Sequence, residues 1–437
     1  MKRYDVILVG SGSAASQAAA TLRDAGKEVA IIENWTFGGT CPQRGCDPKK
    51  MLVEGAELLA RTEHMQKLGV KGSLSLDWAS FKERIDEYRF SIPTSKTQHW
   101  NEMNIDLYQG EPHFIDENMI AIDGHELYAS QFLIATGQTP RPLDIPGGEH
   151  AITSDDVFDL DALPPSIHIV GAGYIAFEFA HIFRRFGSDV TLLIRSHALK
   201  AFDQNVVHRL LEESKRIGIT VRHDVEPKRI DGNTLTLSDD STLEGVVLNA
   251  TGRIPSIERL HLDTVGVKSD RHGVLVNEYL QTSNPNIYAA GDVANSPNPA
   301  LTPFAGQEGR LAALNMLHGN TRALPERPAP TVVFSTPPIA KVGLTVEEAE
   351  AEGIAFDVKE TDMSHFLTYK RINDPTAYSK LLISTEGHVI GAHLIGQHAP
   401  ELINLFSFII QNNLSHQHVK HLEVAYPTVA SDISYLV

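Results

Sequence analysis

Both cysteines of this 437-residue chain fall in one short stretch, GGTCPQRGCDPKK (Gly38–Lys50), as Cys41 and Cys46 with four residues between them. In a reducing compartment, thiols held that close point to catalysis, redox sensing or metal binding, not to a structural staple. A zinc site needs two more ligands, and the spacing is not that of Cys-x-x-Cys. A helix expected to start near Pro48 brings its positive end close to Cys46, and Lys49 and Lys50 add charge. Both effects favour the thiolate, the reactive form of a cysteine.

Two other stretches have the residue types to hold a phosphate. In the first, GSGSAA, Gly10 permits a tight turn, Gly12 lets the backbone approach a pyrophosphate, and Ala15 is small enough for a helix to pack on its strand. Ser13 and Ala14 open that helix, whose N–H groups face the anion. Glu33 closes the next strand, 23 residues after Gly10, the place for a carboxylate on a ribose hydroxyl. The second stretch, GAGYIAFE, repeats the pattern with Gly171, Gly173, Tyr174, Ile175 and Ala176. Its following strand ends in Arg195, with Lys200 nearby, where a ribose carboxylate would stand. Cations there suit the 2′-phosphate of NADPH.

The elements that must position these residues alternate strand and helix, and they do so twice. Tyr4–Glu33 and Ser166–Arg195 each read as strand, Gly-rich turn, helix, strand. Each is followed by a late strand ending in Ala-Thr-Gly, at Thr136 and Gly137 and again at Thr251, Gly252 and Arg253. This predicts an α/β chain with two Rossmann-like dinucleotide-binding domains. The Pro-rich ALPERPAP (Ala323–Pro330) marks a boundary, and the alternating strands and amphipathic helix beyond it predict a third, α+β domain. The expected boundaries are 1–148 with 277–325, then 149–276, then 326–437. The formal net charge of −17 argues against nucleic acid or an anionic membrane as partner. No apolar run approaches the roughly 18–20 residues of a spanning helix. The chain is expected to be cytoplasmic.

These segments together resemble the pyridine nucleotide–disulfide oxidoreductases, the flavoproteins that include glutathione reductase, dihydrolipoamide dehydrogenase and mercuric reductase. GSGSAA, GGTC....GC.PKK, ATG, GAGYIAFE, ATGR, AAGDV and PPIAKVGLT fall in the family's order over nearly the whole chain. The resemblance implies FAD in the first domain, NADPH in the second, and a third domain that makes a homodimer. It implies that Cys41 and Cys46 form a redox disulfide, Cys46 against the flavin and Cys41 attacking substrate. One of Lys49 and Lys50 would reach the flavin and pair with Glu178. Gly39, Thr40, Thr136, Gly137, Gly291, Asp292 and Thr302 would complete the FAD site, with Asp292 on the ribityl or phosphate region and Thr302 near the ring. Gly252 and Arg253 would join the NADPH site, and Tyr174 would cover the nicotinamide pocket when it is empty. Electrons would pass from NADPH to flavin, then to the disulfide, then to a small-molecule acceptor.

The chain leaves the family's pattern near its end. Where disulfide-reducing members carry His-Pro, with a Glu five residues after the His, this sequence has Tyr426-Pro427, with Ser431 and then Asp432. A phenol donates a proton at neutral pH but is a poor base. His393, His398, His416, His418 and His421 are possible substitutes. Mercuric reductase resembles this region in its tyrosine but has an additional C-terminal cysteine pair. The expected activity is reduction of a small disulfide with Tyr426 as proton donor. Alternatives are reduction of metal ions, quinones or oxidants, and a redox sensor without steady turnover.

Overall fold

The computed structural model describes residues 2–437. The chain divides into two compact units, the first made of Met1–Lys49, Glu83–Arg141 and Gly252–Glu326 and the second of Lys50–Lys82, Pro142–Thr251 and Arg327–Val437.

The first unit is built on a sheet whose parallel part runs Asp106–Gln109, Val29–Glu33, Lys2–Val9, His125–Ile134. Ile287–Ala289 pairs in parallel with the C-terminal half of His125–Ile134, and the strands Met119–Ile122 and Pro112–Asp116 extend its other half as an antiparallel meander. The central strands read as unbroken apolar runs because helices cover both faces of a parallel sheet. Val29–Glu33 is buried throughout. The helix Ser13–Asp24 lays Ala14, Ala15, Ala18, Ala19 and Leu22 on the core. Small residues at that spacing let helix and strand approach closely, as the sequence pattern required.

Gly10 has φ +106°, and a β-carbon there would overlap the Ala135 carbonyl. Gly171 has φ +141°, and its β-carbon would overlap the Ala250 carbonyl. The two turns thus share one physical constraint, close passage of a late strand end under the Gly-rich loop, at a backbone conformation that glycine alone adopts cheaply.

The second unit contains a parallel sheet in the order Thr220–His223, Asp189–Ile194, Ser166–Val170, Val246–Asn249, Ile152–Thr153. The helix Tyr174–Phe186 packs on it and ends at Gly187 in the left-handed conformation. The same unit holds a five-stranded antiparallel sheet, Thr331–Val333, Ile339–Gly343, Val389–Ile395, Tyr378–Ser384, Phe356–Asp362. The helix Ala399–Gln411 buries Leu402, Ile403, Phe406 and Ile409 on that sheet, each burial stabilising by about 1.5–3 kcal/mol. Among the described residues no helix is long and apolar enough to cross a membrane.

The division differs from the sequence reading at several places: Lys50–Lys82 falls in the second unit, the first unit breaks off at Arg141, and the chain rejoins it at Gly252 and not at 277. The short strand Arg253–Pro255 pairs with Gln138–Pro140, and Leu260, Leu262, Val265 and Val267 enter the same core as Ile7, Val9 and Phe132.

Candidate functional site

In the first unit, strand Lys2–Val9 delivers Gly10 to the sheet edge, and Gly12 stands at the N-cap of helix Ser13–Asp24 with no side chain capping its amides. Those amides face the place where an anion would sit. Gly39 lies against Gly12: a β-carbon on Gly39 would overlap the Gly12 Cα, so the cradle has no room for a side chain there. Thr40 begins the short helix Thr40–Arg44. Glu33 is buried, and its carboxylate accepts from the Ser11 amide at 3.1 Å, the Ser11 hydroxyl at 2.5 Å and the Trp35 amide at 3.0 Å. A carboxylate offers about four acceptor sites. Glu33 is therefore held rigidly with capacity left for one more donor, which fits a ribose hydroxyl. Ser11, which spacing alone does not single out, also accepts from the Gly38 amide at 2.9 Å.

Thr136 and Gly137 follow strand His125–Ile134, and the Thr136 hydroxyl is buried without a partner, as expected of a group that meets a ligand. Gly291 and Asp292 line a cavity of about 220 Å³ together with Gln138, Asn298, Ala305 and Glu308. Glu308 is buried on helix Thr302–His318 and accepts from the Gly291 amide (2.8 Å), the Ser296 hydroxyl (2.6 Å) and the Asn298 amide (3.0 Å). It thereby fixes the loop that carries Asp292. Burial raises the pKa of the Asp292 carboxyl, and Arg253 opposes that shift. An orphaned hydroxyl, a cradle without side chains and a pinned carboxylate are what a dinucleotide such as FAD requires.

The same unit holds the sulfur pair. Cys46 is the first residue of helix Cys46–Gln66, two residues before the position expected from Pro48, and it is exposed. Its Sγ is 3.8 Å from the hydroxyl of Thr302, which itself begins a helix. The sulfurs are not joined by a disulfide in this structure. The hydrogen bond with Cys46, and then burial, push the Cys41 thiol well above the ordinary range; the Thr302 hydroxyl opposes them and the Asp47 charge adds to them. These causes favour the proton on Cys41, while Cys46 stands at a helix N-terminus, a place that favours a thiolate. Cys41 also lies 3.8 Å from Asp47 Oδ1, and the Tyr88 hydroxyl donates to Asp47 Oδ2 at 2.7 Å.

In the second unit Gly173 is the N-cap of helix Tyr174–Phe186, Ile175 follows in its first turn, and Tyr174 is 44% exposed. Glu178 on that helix is buried and accepts from the Phe334 amide at 2.8 Å. Lys50 belongs to this unit, where its ammonium pairs with Glu54 at 3.0 Å and Glu57 at 3.1 Å. Arg195 and Lys200 are both exposed after strand Asp189–Ile194, and Arg195 lies 3.9 Å from Glu226. Gly252 and Arg253 are not in this unit: Arg253 donates to the Gln138 carbonyl at 2.7 Å in the first.

Tyr426 is 70% exposed. Ser431 closes a turn with Thr428, and Asp432 is buried. The histidines named as possible substitutes serve other ends: His393 and His416 donate to the Leu344 and Gly387 carbonyls, His421 to that of Gln417, and His418 bonds Ser415. His398 packs its ring 5.7 Å from that of Tyr369. Among the described residues no cluster of His, Cys, Asp and Glu could hold a metal ion.

Two dinucleotide cradles with a cysteine pair beside the first define a nucleotide-linked thiol redox protein. The chain belongs to the pyridine nucleotide-disulphide oxidoreductase family, whose model matches residues 4–309 and whose dimerisation-domain model matches residues 329–436. It is thus an oxidoreductase of a family that uses FAD and a pyridine nucleotide. It is 34% identical to a glutathione reductase of Nostoc sp. (92% of each chain) and 32% identical to a mercuric reductase of Staphylococcus aureus (98% of this chain, 81% of that one). Its fold is similar, with a TM-score of 0.90 and 26% identity over all of this chain and 99% of the other, to the Cu(II) complex of the HOCl-induced flavoprotein disulfide reductase RclA from Escherichia coli.

Proposed function

We propose that this protein is an NADPH-dependent, FAD-containing reductase in which Cys41 and Cys46 form the redox pair and reduce a small disulfide. The observation that carries this reading is the hydrogen-bonded pair of sulfurs at a helix N-terminus, in the same unit as the Gly10 cradle. FAD, when bound, relays electrons between the nicotinamide and the sulfur pair. Gly10, Gly12, Ser13, Ala14, Ala15, Gly39 and Thr40 would bind its pyrophosphate and nearby groups, Glu33 its ribose, Thr136, Gly137, Gly291 and Asp292 its polar middle, and Thr302 the ring. Residues 149–251 would take NADPH at Gly171, Gly173 and Ile175, with Tyr174 over the nicotinamide. Exposed Arg195 and Lys200 supply the charge that a 2′-phosphate needs. The dimerisation domain supports a homodimer in which Tyr426 of one protomer gives a proton to the thiol leaving Cys41 of its partner. We place the protein in the cytoplasm, where such a pair is reduced.

Lys49 lies in the same unit as the Gly10 cradle and the sulfur pair, whereas Lys50 lies in the other unit, so Lys49 is the ammonium assigned to the flavin. Lys49→Ala is expected to slow flavin reduction by about 10²-fold, the usual cost of one electrostatic donor. Lys50→Ala removes only partly exposed ion pairs, worth about 1 kcal/mol of stability or less, and should leave that rate unchanged. Stopped-flow absorbance with excess NADPH distinguishes them, and equal slowing would sink the assignment.

A second reading, reduction of metal ions or oxidants, is supported by Tyr426 in the place of histidine and by the mercuric reductase and RclA relatives. One experiment tests both the electron path and the coenzyme. The oxidised, FAD-loaded protein should have no titratable thiol, and one equivalent of NADPH under argon should expose two per chain. NADH should do so only at much higher concentration. No new thiols with either coenzyme would refute the path, and equal potency would refute the coenzyme preference.

A further inference from the structure

The disulfide reading leaves one role unfilled. Cys41 keeps its proton and must lose it as it attacks, and Tyr426 is a phenol, well suited to giving protons and poorly to taking them. The first unit places a carboxylate at the required spot. Asp47, one residue beyond Cys46, turns Oδ1 to 3.8 Å from Cys41 Sγ, where it accepts the thiol hydrogen bond. Its other oxygen is held by the Tyr88 hydroxyl at 2.7 Å, from the helix Trp78–Glu102. Side chain and sulfur are thus aligned before any substrate arrives, and Asp47 is half-buried, in contact with the reacting atom.

We propose that Asp47 is a catalytic base and acid for Cys41, supplied within the chain. This rests on the reading that Cys41 attacks a disulfide. With the pair reduced, as Cys41–SH and Cys46–S⁻, the Cys41 proton moves to Asp47 Oδ1 as the sulfur attacks one sulfur of RS–SR. A Cys41–SR bond forms, the RS–SR bond breaks, and the leaving RS⁻ takes the proton from Asp47. Cys46–S⁻ then attacks Cys41 sulfur, closing the Cys41–Cys46 bond and expelling a second RS⁻, which takes a proton from Tyr426 or solvent. One disulfide, the Cys41 proton and one proton from solvent become two thiols, while the protein pair loses two electrons that NADPH restores through the flavin. Tyr88 acts as a positioning residue; its hydroxyl is drawn up to about 12, by burial and by the bond to Asp47, so it stays a donor.

The test uses FAD-loaded full chain and bis(2-hydroxyethyl) disulfide as the probe, whose leaving thiolate needs a proton. Asp47→Asn and Asp47→Ser are both made, so that one folded, yellow, carboxylate-free variant suffices. NADPH-driven turnover of the probe is expected to fall by about 10²-fold, an ordinary acid–base contribution. Alkylation of Cys41 by iodoacetamide in the dithiol form should rise at pH 7, because loss of the neighbouring Asp47 charge removes one of the causes that hold the thiol pKa up. Trypsin cuts after Arg44 and puts the two cysteines in separate peptides, so mass spectrometry reads Cys41 alone. Asp47→Glu should recover most of the turnover. These two readouts moving in opposite directions is the signature of a base. Turnover that is unchanged or raised in the carboxylate-free variants overturns the proposal, whatever the alkylation does. Turnover of the probe surviving in Cys41→Ser overturns instead the underlying reading.

Discussion

Cys41→Ser is expected to remove turnover with every disulfide acceptor, a loss on the order of 10⁶-fold of the kind seen when a nucleophile is deleted. It should leave reduction of the bound flavin by NADPH at its original rate. The reason lies in how the two sulfurs divide their work. Cys46 begins a helix and lies 3.8 Å from Thr302 Oγ1, at the start of another, so two helix N-termini favour its thiolate. Cys41 is half-buried and carries the proton. A serine hydroxyl in place of Cys41 can neither form a mixed disulfide nor be displaced from one. The nicotinamide-to-flavin step does not use Cys41 and should be untouched. The same variant separates the two readings of the acceptor. If turnover with quinones or metal ions persists while disulfide turnover vanishes, those acceptors take electrons without Cys41. If turnover with a disulfide persists, the sulfur pair is not the exit for electrons.

What the sequence made legible follows from which constraints are local. The two Gly-rich turns, the small residues of helix Ser13–Asp24 and the carboxylate at Glu33 stand at fixed offsets because a strand–turn–helix unit sets them, and in the fold that helix opens at Gly12 while Glu33 accepts from the Ser11 and Trp35 amides. The sulfur pair and its helix are local in the same sense. The return of the chain at Gly252 was not legible, because the strand Arg253–Pro255 is three residues long and owes its place to pairing with Gln138–Pro140, far off in sequence. Nor could the sequence choose between Lys49 and Lys50, since adjacent lysines look alike and only the fold puts them in different units. Asp47 fills the unspecified position of GC.PKK and Glu308 lies six residues after Thr302, and no spacing rule separates a functional acid there from a solvated one. Contacts between distant segments, such as Tyr88 with Asp47, leave no trace in a single sequence.

The largest loss of stability is expected from a pair of that kind. Asp203 and Lys380 stand 177 residues apart in sequence, within the second unit, and meet at 2.7 Å with side chains 2% and 10% exposed. Removing one member strands the other charge in a poorly solvated place, which costs about 3–5 kcal/mol. Asp203 also holds a helix end, since its Oδ1 accepts from the Asn205 and Val206 amides and caps helix Gln204–Arg216. Loss of such a cap adds about 1 kcal/mol. The two deletions are therefore unequal. Asp203→Ala loses the pair and the cap and leaves the Lys380 ammonium without its partner. Lys380→Met leaves an anion that two backbone amides still hold, and its chain replaces the buried lysine stem. Thermal unfolding followed by circular dichroism should rank wild type above Lys380→Met and Lys380→Met above Asp203→Ala. The double change Asp203→Asn with Lys380→Met should recover much of the loss, because a capping oxygen remains and no unpaired charge is buried. Equal melting temperatures for wild type and Asp203→Ala would mean that water reaches this site and that the pair contributes little to the unit.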